Sequence, residues 1–151
     1  MQIIAHTMEY HGEQISSDLH VSNYSPNDYE EYKCVYEACF FEMRTALGLT
    51  PVNCCDNEDA LLQKASQIFL LRREGVLIGS VAIYDNEIDD LIVAKEFQRQ
   101  GYGKKLLLFA VSKMQKDRVA SISLHVADWN KNAVQMYLNN GFVIVKTEVV
   151  N

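Results

Sequence analysis

The stretch Gln98-Arg99-Gln100-Gly101-Tyr102-Gly103 carries the residue types and spacing that most directly suggest chemistry. Its two glycines separate an apolar run, Leu91–Ala94, from a longer one, Leu106–Val111, with Lys95, Lys104 and Lys105 close by. Glycine permits positive φ and close approach of the backbone to another group. A helix begun just after such a turn has N–H groups without intrahelical acceptors and the positive end of its dipole there. With Arg99 and Lys104 added, the turn suits an anion such as pyrophosphate. A glycine-bearing turn with solvated basic side chains accounts for the same residues. The Walker A pattern is absent, and Leu106 stands where a dinucleotide fingerprint needs its third glycine. Lys104 and Lys105 at a helix start oppose the dipole by roughly a few tenths of a kcal/mol, a placement that makes more sense beside a bound anion.

The elements that must position this turn follow from periodicity and punctuation. Gln2–Tyr10 and Leu19–Tyr24 read as short strands, and "SPND" after the second reads as a helix start with Ser25 as cap and Pro26 in the first turn. The helix over Pro26–Leu47 carries Tyr29, Tyr32, Tyr36, Phe40 and Met43 on one stripe, and Gly48 stops it. A second short helix begins near Asn57, with Asp56 as its cap. Gln67–Arg73 and Val76–Tyr84 are strands joined by the "EG" hairpin signal, and Ile88–Val93 is a third strand after the turn at Asp85–Asn86. The glycine turn then leads into a helix over Gly103–Lys116, a strand over Val119–Val126, a short helix over Asn130–Asn140 closed by Gly141, and a last strand over Phe142–Val149. Hairpins demand antiparallel pairing and the later alternation suggests parallel pairing, so a mixed α/β sheet is expected.

Whole-chain properties exclude several function classes. The 151 residues are enough for one domain with a real core, and 48% hydrophobic with 23% charged residues is ordinary globular composition. A net charge of −6 argues against nucleic-acid binding, which needs a basic face. The longest apolar run, Leu106–Val111, is far below the ~20 residues of a membrane span. "MQIIAHTMEYHGE" lacks the basic n-region and apolar core of a signal peptide, so the cytoplasm is the expected compartment. Cys34, Cys39, Cys54 and Cys55 form no CxxC pair and have no histidine at metal-ligand spacing. No metal is therefore expected, and adjacent Cys54 and Cys55 read as free thiols.

"QRQGYG" resembles the Q/R-x-x-G-x-G/A pattern of the GCN5-related N-acetyltransferases, the GNAT superfamily, with Gln98, Gly101 and Gly103 at the defining positions. The preceding "EIDDLIVAKEF" is similar to that family's fourth strand. "LHVADWNKNAVQMYLNNGFVIV" is similar to a second family signature through Asn130, Ala133, Tyr137, Gly141 and Phe142. The resemblance runs from Leu19 to the C-terminus and is most specific over Glu87–Phe142, with residues 1–18 as a lead-in strand longer than the family's usual one. It implies a single domain over 1–151, built on a mainly antiparallel sheet of six to seven strands with about four helices, splayed between the family's fourth and fifth strands.

The same resemblance implies the site. Acetyl-CoA is the expected cosubstrate, its pyrophosphate on the N–H groups of Arg99, Gln100, Gly101, Tyr102, Gly103 and Lys104, with Gln98 and Asn130 nearby. Its pantetheine would bond like an added strand to backbone at Leu91, Ile92 and Val93, with a Val93 N–H polarising the thioester carbonyl. Tyr137 would protonate the departing thiolate, as a phenol of ordinary pKa ~10 can, although packing against Ala133 and Leu138 is its plainer role. Glu87 stands where several family members place a base, and Asp89 shares its strand face; both could instead be solvated turn carboxylates. His125 could serve as a base or simply pack, and Asn130 could cap a helix without touching ligand. Trp129 is expected near the cleft mouth. The implied reaction is direct attack by a primary amine of a small molecule or peptide on acetyl-CoA in a ternary complex, with a homodimer admitted by the family. A non-catalytic acyl-CoA-binding or sensing module and a nucleotide-binding enzyme are the competing readings. The acceptor is expected to be set by Pro26–Ser66, whose Glu30, Glu31, Glu42, Asp56, Glu58 and Asp59 suit a cationic amine or a solvated helix face.

Overall fold

In the computed structural model, which describes residues 2–50 and 57–150, seven strands form one sheet with helices on both faces. In chain order the elements are β1 (Ile3–Tyr10), β2 (Ser22–Asn23), α1 (Tyr29–Ala46), α2 (Glu58–Gln63), β3 (Ile68–Arg73), β4 (Val76–Tyr84), β5 (Glu87–Val93), α3 (Tyr102–Lys116), β6 (Ser123–Ala127), α4 (Lys131–Asn139) and β7 (Phe142–Val150). The sheet order is β2-β3-β4-β5-β6-β1-β7. Every neighbouring pair is antiparallel except β5 and β6. The mixed, mainly antiparallel sheet with four helices is the expected fold. Among the described residues, no helix is long and apolar enough to cross a membrane.

Local chemistry explains most boundaries. The β3–β4 hairpin turns on Glu74 and Gly75, with φ of 53° and 79°, and the β4–β5 turn on Asp85 at 55°. Pro26–Asp28 forms a 3-10 turn ahead of α1 rather than its first α-turn, and the Ser25 N–H donates to Asp28 Oδ2 at 2.8 Å. The Asn57 side chain caps α2 by accepting from the Ala60 N–H at 3.0 Å. The expected Asp56 cap and the Cys54–Cys55 pair lie outside the described residues. β2 keeps only two of the residues expected over Leu19–Tyr24.

Two cores lie on opposite sheet faces. The aromatic stripe of α1 packs, through Tyr29 and Tyr32, with Ile68, Leu70, Leu77, Ala82 and Ile92. On the other face Leu106, Leu107, Ala110 and Met114 of α3 meet Met8, Ile78, Val81, Ile88, Leu124 and Phe142. The lead-in strand finds its place here. β1 lies between β6 and β7, pairing antiparallel with both, and Met8 is fully buried. Its His6 is also buried, with Nδ1 2.9 Å from Thr147 Oγ1 and Nε2 2.7 Å from Asp128 Oδ1.

Candidate active site

β5 and β6 run together for only two pairs, Glu87 with Ser123 and Ile88 with Leu124, and then separate. This is the splay expected between the family's fourth and fifth strands. A cavity of about 660 Å³ opens in the gap, bounded by the end of β5, the glycine turn, β6, α1 and α4. A second cavity of about 540 Å³ adjoins it, sharing Phe40, Leu91, Val93 and Asn130 and bordered by the half-exposed Trp129.

Beyond Ile88 the edge of β5 that faces β6 carries no strand among the described residues. Ala94 N–H donates to the Ile78 carbonyl at 2.8 Å. Because bonded positions alternate along an antiparallel ladder, Val93, one residue earlier and opposite Gly79, turns its N–H and C=O away from β4. Its carbonyl is taken by Gln98 Nε2 at 2.9 Å and by Cys39 Sγ at 3.2 Å. The Val93 peptide is thus braced from two elements, with its N–H on the side where β6 has moved away. Leu91 and Val93 line the cavity, whereas Ile92 points into the core beside α1.

In the turn itself, Arg99 and Gly101 hold positive φ, at 64° and 88°. Gly103 was expected to share this property but lies in the first turn of α3, where an added Cβ would make ordinary contacts with Met136 Sδ at 3.5 Å and Val93 Cγ2 at 3.8 Å. Both left-handed residues fall immediately before α3, whose first N–H groups lack intrahelical acceptors, an arrangement that suits an anion. Arg99, Tyr102 and Lys104 also border the cavity, while the Gln100 side chain reaches back toward the Glu96 carbonyl at 3.4 Å. Asn130 both borders the cavity and caps α4, its Oδ1 accepting from the Ala133 N–H at 3.3 Å.

The titratable groups divide by sheet face. Tyr137, on α4, is 9% exposed, packs on Phe142 in the α3-side core and borders the cavity. Burial, then the nearby Asp89 charge, pushes its phenol up to about 12. The carboxylates lie toward α1. Asp89 pairs with Ala82 of the α1-side core and borders the cavity, its Oδ1 accepting from the Asp90 N–H at 2.7 Å. Glu87 reaches the site indirectly: its Oε1 lies 3.0 Å from Nε2 of cavity-lining His125, whose Nδ1 is 3.1 Å from Thr7 Oγ1.

Asp90 was not singled out in the sequence. Ser80 pairs with Ile92 but Ala82 with Asp89, so Asp90 and Leu91 together face the single residue Val81, a β-bulge with Asp90 at φ 48°. The bulge swings Asp90 toward α1, where its Oδ1 accepts from the Tyr36 hydroxyl at 3.0 Å. Burial, then Asp89, raises its carboxyl to about 6, against the opposing pull of Tyr36 and Lys64. The same two carboxylates, after burial, raise the neighbouring Tyr84 phenol. Asp90 also borders the cavity, as do Tyr36 and Phe40.

The family model described as "Acetyltransferase (GNAT) family" matches residues 28–142, spanning the α1 wall, the glycine turn and α4. The chain belongs to the GNAT acetyltransferase family. No curated protein matches its sequence. Among solved structures, this GNAT chain is similar to a GNAT-family acetyltransferase from Novosphingobium aromaticivorans at 17% identity and TM-score 0.72, over 99% of this chain and 63% of that one. It is similar to the PaiA N-acetyltransferase of Thermoplasma acidophilum, solved with coenzyme A, at 19% identity and TM-score 0.68, over 80% and 87%. A ribosomal-protein-alanine N-acetyltransferase from Brucella melitensis matches at 15% identity and TM-score 0.67, over 82% and 83%. Identities this low speak for the fold. The chain spans 63%, 55% and 50% of the length of three of the longer structures it matches.

Proposed function

We propose that this GNAT chain is an N-acetyltransferase that moves an acetyl group from acetyl-CoA to a primary amine by direct attack in a ternary complex. The observation that carries the reading is the Val93 peptide, braced through its carbonyl by Gln98 and Cys39 with its N–H toward the gap between β5 and β6. An N–H so held is an oxyanion donor that needs no reorganisation during reaction. The free β5 edge at Leu91–Val93 would take the pantetheine arm, and the turn over Arg99–Lys104 its pyrophosphate.

Acid and base then lie on opposite faces of the gap. Tyr137, protonated throughout the physiological range, gives its proton to the departing thiolate from the α4 side. The acceptor amine enters from the α1 side, between the Tyr36 and Phe40 rings and the paired carboxylates. Of these, Asp90 is the best-suited proton acceptor, because its raised carboxyl is poised near neutral pH. Asp89 attracts the ammonium form and keeps Asp90 raised, while Glu87 orients His125 at the cavity's edge. An amine carried on an apolar or aromatic frame fits this wall, and acidic acceptors do not.

Thiol release from acetyl-CoA across a panel of polyamines, aminoglycosides, amino acids and peptide amines tests the reading, with Tyr137→Phe alongside. Acceptor-dependent release that falls sharply in the variant supports it. Acetyl-CoA binding seen by calorimetry, with no release from any acceptor in a broad panel, would favour a binding or sensing module instead.

A further inference from the structure

β7 is an outer edge of the sheet and carries five exposed large hydrophobic residues. Only Phe142 is buried; Val143, Ile144, Val145, Val149 and Val150 are each 38% to 52% exposed. Edge strands are ordinarily kept short, or interrupted by charge or proline, because their free N–H and C=O groups invite another strand. This one runs nine residues without proline, its charges confined to Lys146 and Glu148, and among the described residues no strand pairs with its outer side.

What would cover it is written in its own sequence. Val145-Lys146-Thr147-Glu148-Val149 matches itself when read antiparallel about Thr147. Lys146 then falls opposite Glu148 of the other strand, Glu148 opposite Lys146, and each Val145 opposite a Val149. Lys146 and Glu148 already share a sheet face, with Nζ 3.7 Å from Oε2 within one chain, and both are well exposed at 65% and 48%. Parallel pairing in register would instead set lysine on lysine and glutamate on glutamate. The self-complementary pattern picks out a two-fold partner, as an isologous interface requires. We propose that β7 pairs antiparallel with β7 of a second copy of this chain about a two-fold axis at Thr147, joining the two sheets into one. Association stops at two, because the opposite edge of the sheet is the two-residue polar strand β2. The bulge in β7 falls at Val145, between the Thr7–Lys146 and Met8–Ile144 pairs, so the regular pairing rests on Lys146–Glu148, with Val145 and Val149 at its margins.

The register makes the test specific. Sedimentation equilibrium of the full chain from about 1 to 100 µM should show the wild type as a dimer. Lys146→Glu or Glu148→Lys alone sets two pairs of like charges across the axis and should weaken association at least about tenfold. The double variant Lys146→Glu/Glu148→Lys restores both opposite-charge pairs and should return to the wild-type constant. Unchanged circular dichroism and melting of the monomeric variants show that the fold is intact, as expected for two exposed side chains. A wild type that stays monomeric at about 100 µM overturns the proposal. So does a dimer indifferent to both single reversals, which seats the second copy elsewhere. Loss in both single variants without recovery in the double variant overturns the register, and with it the two-fold axis at Thr147.

Discussion

Replacing Asp90 by asparagine should make the protein more stable and less active, with the stability gain confined to pH values above the carboxyl's ordinary range. In the fold, burial and the Asp89 charge raise this carboxyl from 3.8 to about 6. Its folded value lies above its unfolded one, so the native state holds the proton more tightly than the unfolded chain between those limits. Stability therefore falls as pH rises through that window; the penalty is absent below about 3.8 and complete above about 6. At 1.36 kcal/mol per tenfold change in proton affinity, the full penalty is on the order of 3 kcal/mol. Asparagine keeps an oxygen for the Tyr36 hydroxyl and removes the charge. After relaxation of the pocket, a gain of about 1–3 kcal/mol near pH 8 is expected, roughly 3–10 °C in Tm for a chain of this length. Melting curves at about pH 4 and pH 8 measure it. The same variant should lose about a hundredfold or more in kcat/KM and with it an acidic limb near pH 6. A variant no more stable than wild type at pH 8, or equally stabilised at pH 4, would refute the account of Asp90 as a buried, like-charge-strained carboxyl. Retained activity would refute its role as the base.

Tyr137→Phe should lower kcat by about a hundredfold while leaving the acetyl-CoA dissociation constant within about threefold, as calorimetry can show, because only the proton donor is lost. Gly101→Ala meets no crowding at its Cβ but must hold φ 88°, so a loss of roughly 1–2 kcal/mol in melting stability is expected, along with weaker acetyl-CoA binding. An alanine at Gly79 would drive its Cβ into the Ile92 carbonyl oxygen opposite, displacing β5 where Val93 is presented. That variant should lose kcat more than substrate affinity if it folds, measured by steady-state kinetics with both substrates varied.

The glycine turn, the hairpin at Glu74–Gly75 and the apolar stripe of α1 were readable because each depends on residues a few positions apart. The position of β1 depends on contacts between residues more than a hundred positions apart, such as Ala5 with Glu148. Its apolar pattern says that it pairs, and nothing local says with which strands. The carboxylates show the same limit on a finer scale. Strict alternation puts Glu87 and Asp89 on one face and Asp90 on the other. The bulge opposite Val81 breaks that alternation, and no glycine marks it: Asp90 itself holds the positive φ. Gln98 was legible as part of the motif, but its hydrogen bond to Val93 depends on the turn folding back over β5.

The bulge also explains how one strand serves two faces. A regular β5 would send Asp90 toward the α3-side core, where an ionised carboxyl would have no partner. Holding a non-glycine residue at φ 48° costs on the order of 1–2 kcal/mol, and burying its carboxyl beside Asp89 adds to that. In return the strand shifts its face once, just before Val93. Asp90 then lies beside α1 and Tyr36, while Val93 turns its N–H into the gap that β6 has vacated and Tyr137 closes the other side. In the proposed reaction, a proton taken from the amine and one given to the thiolate would thus travel on opposite faces of the sheet. Neither group need move between the two events. Straightening the bulge by deleting Asp90 should accordingly abolish turnover at least as completely as Asp90→Asn, because it removes the base and resets the strand just before the oxyanion donor at Val93.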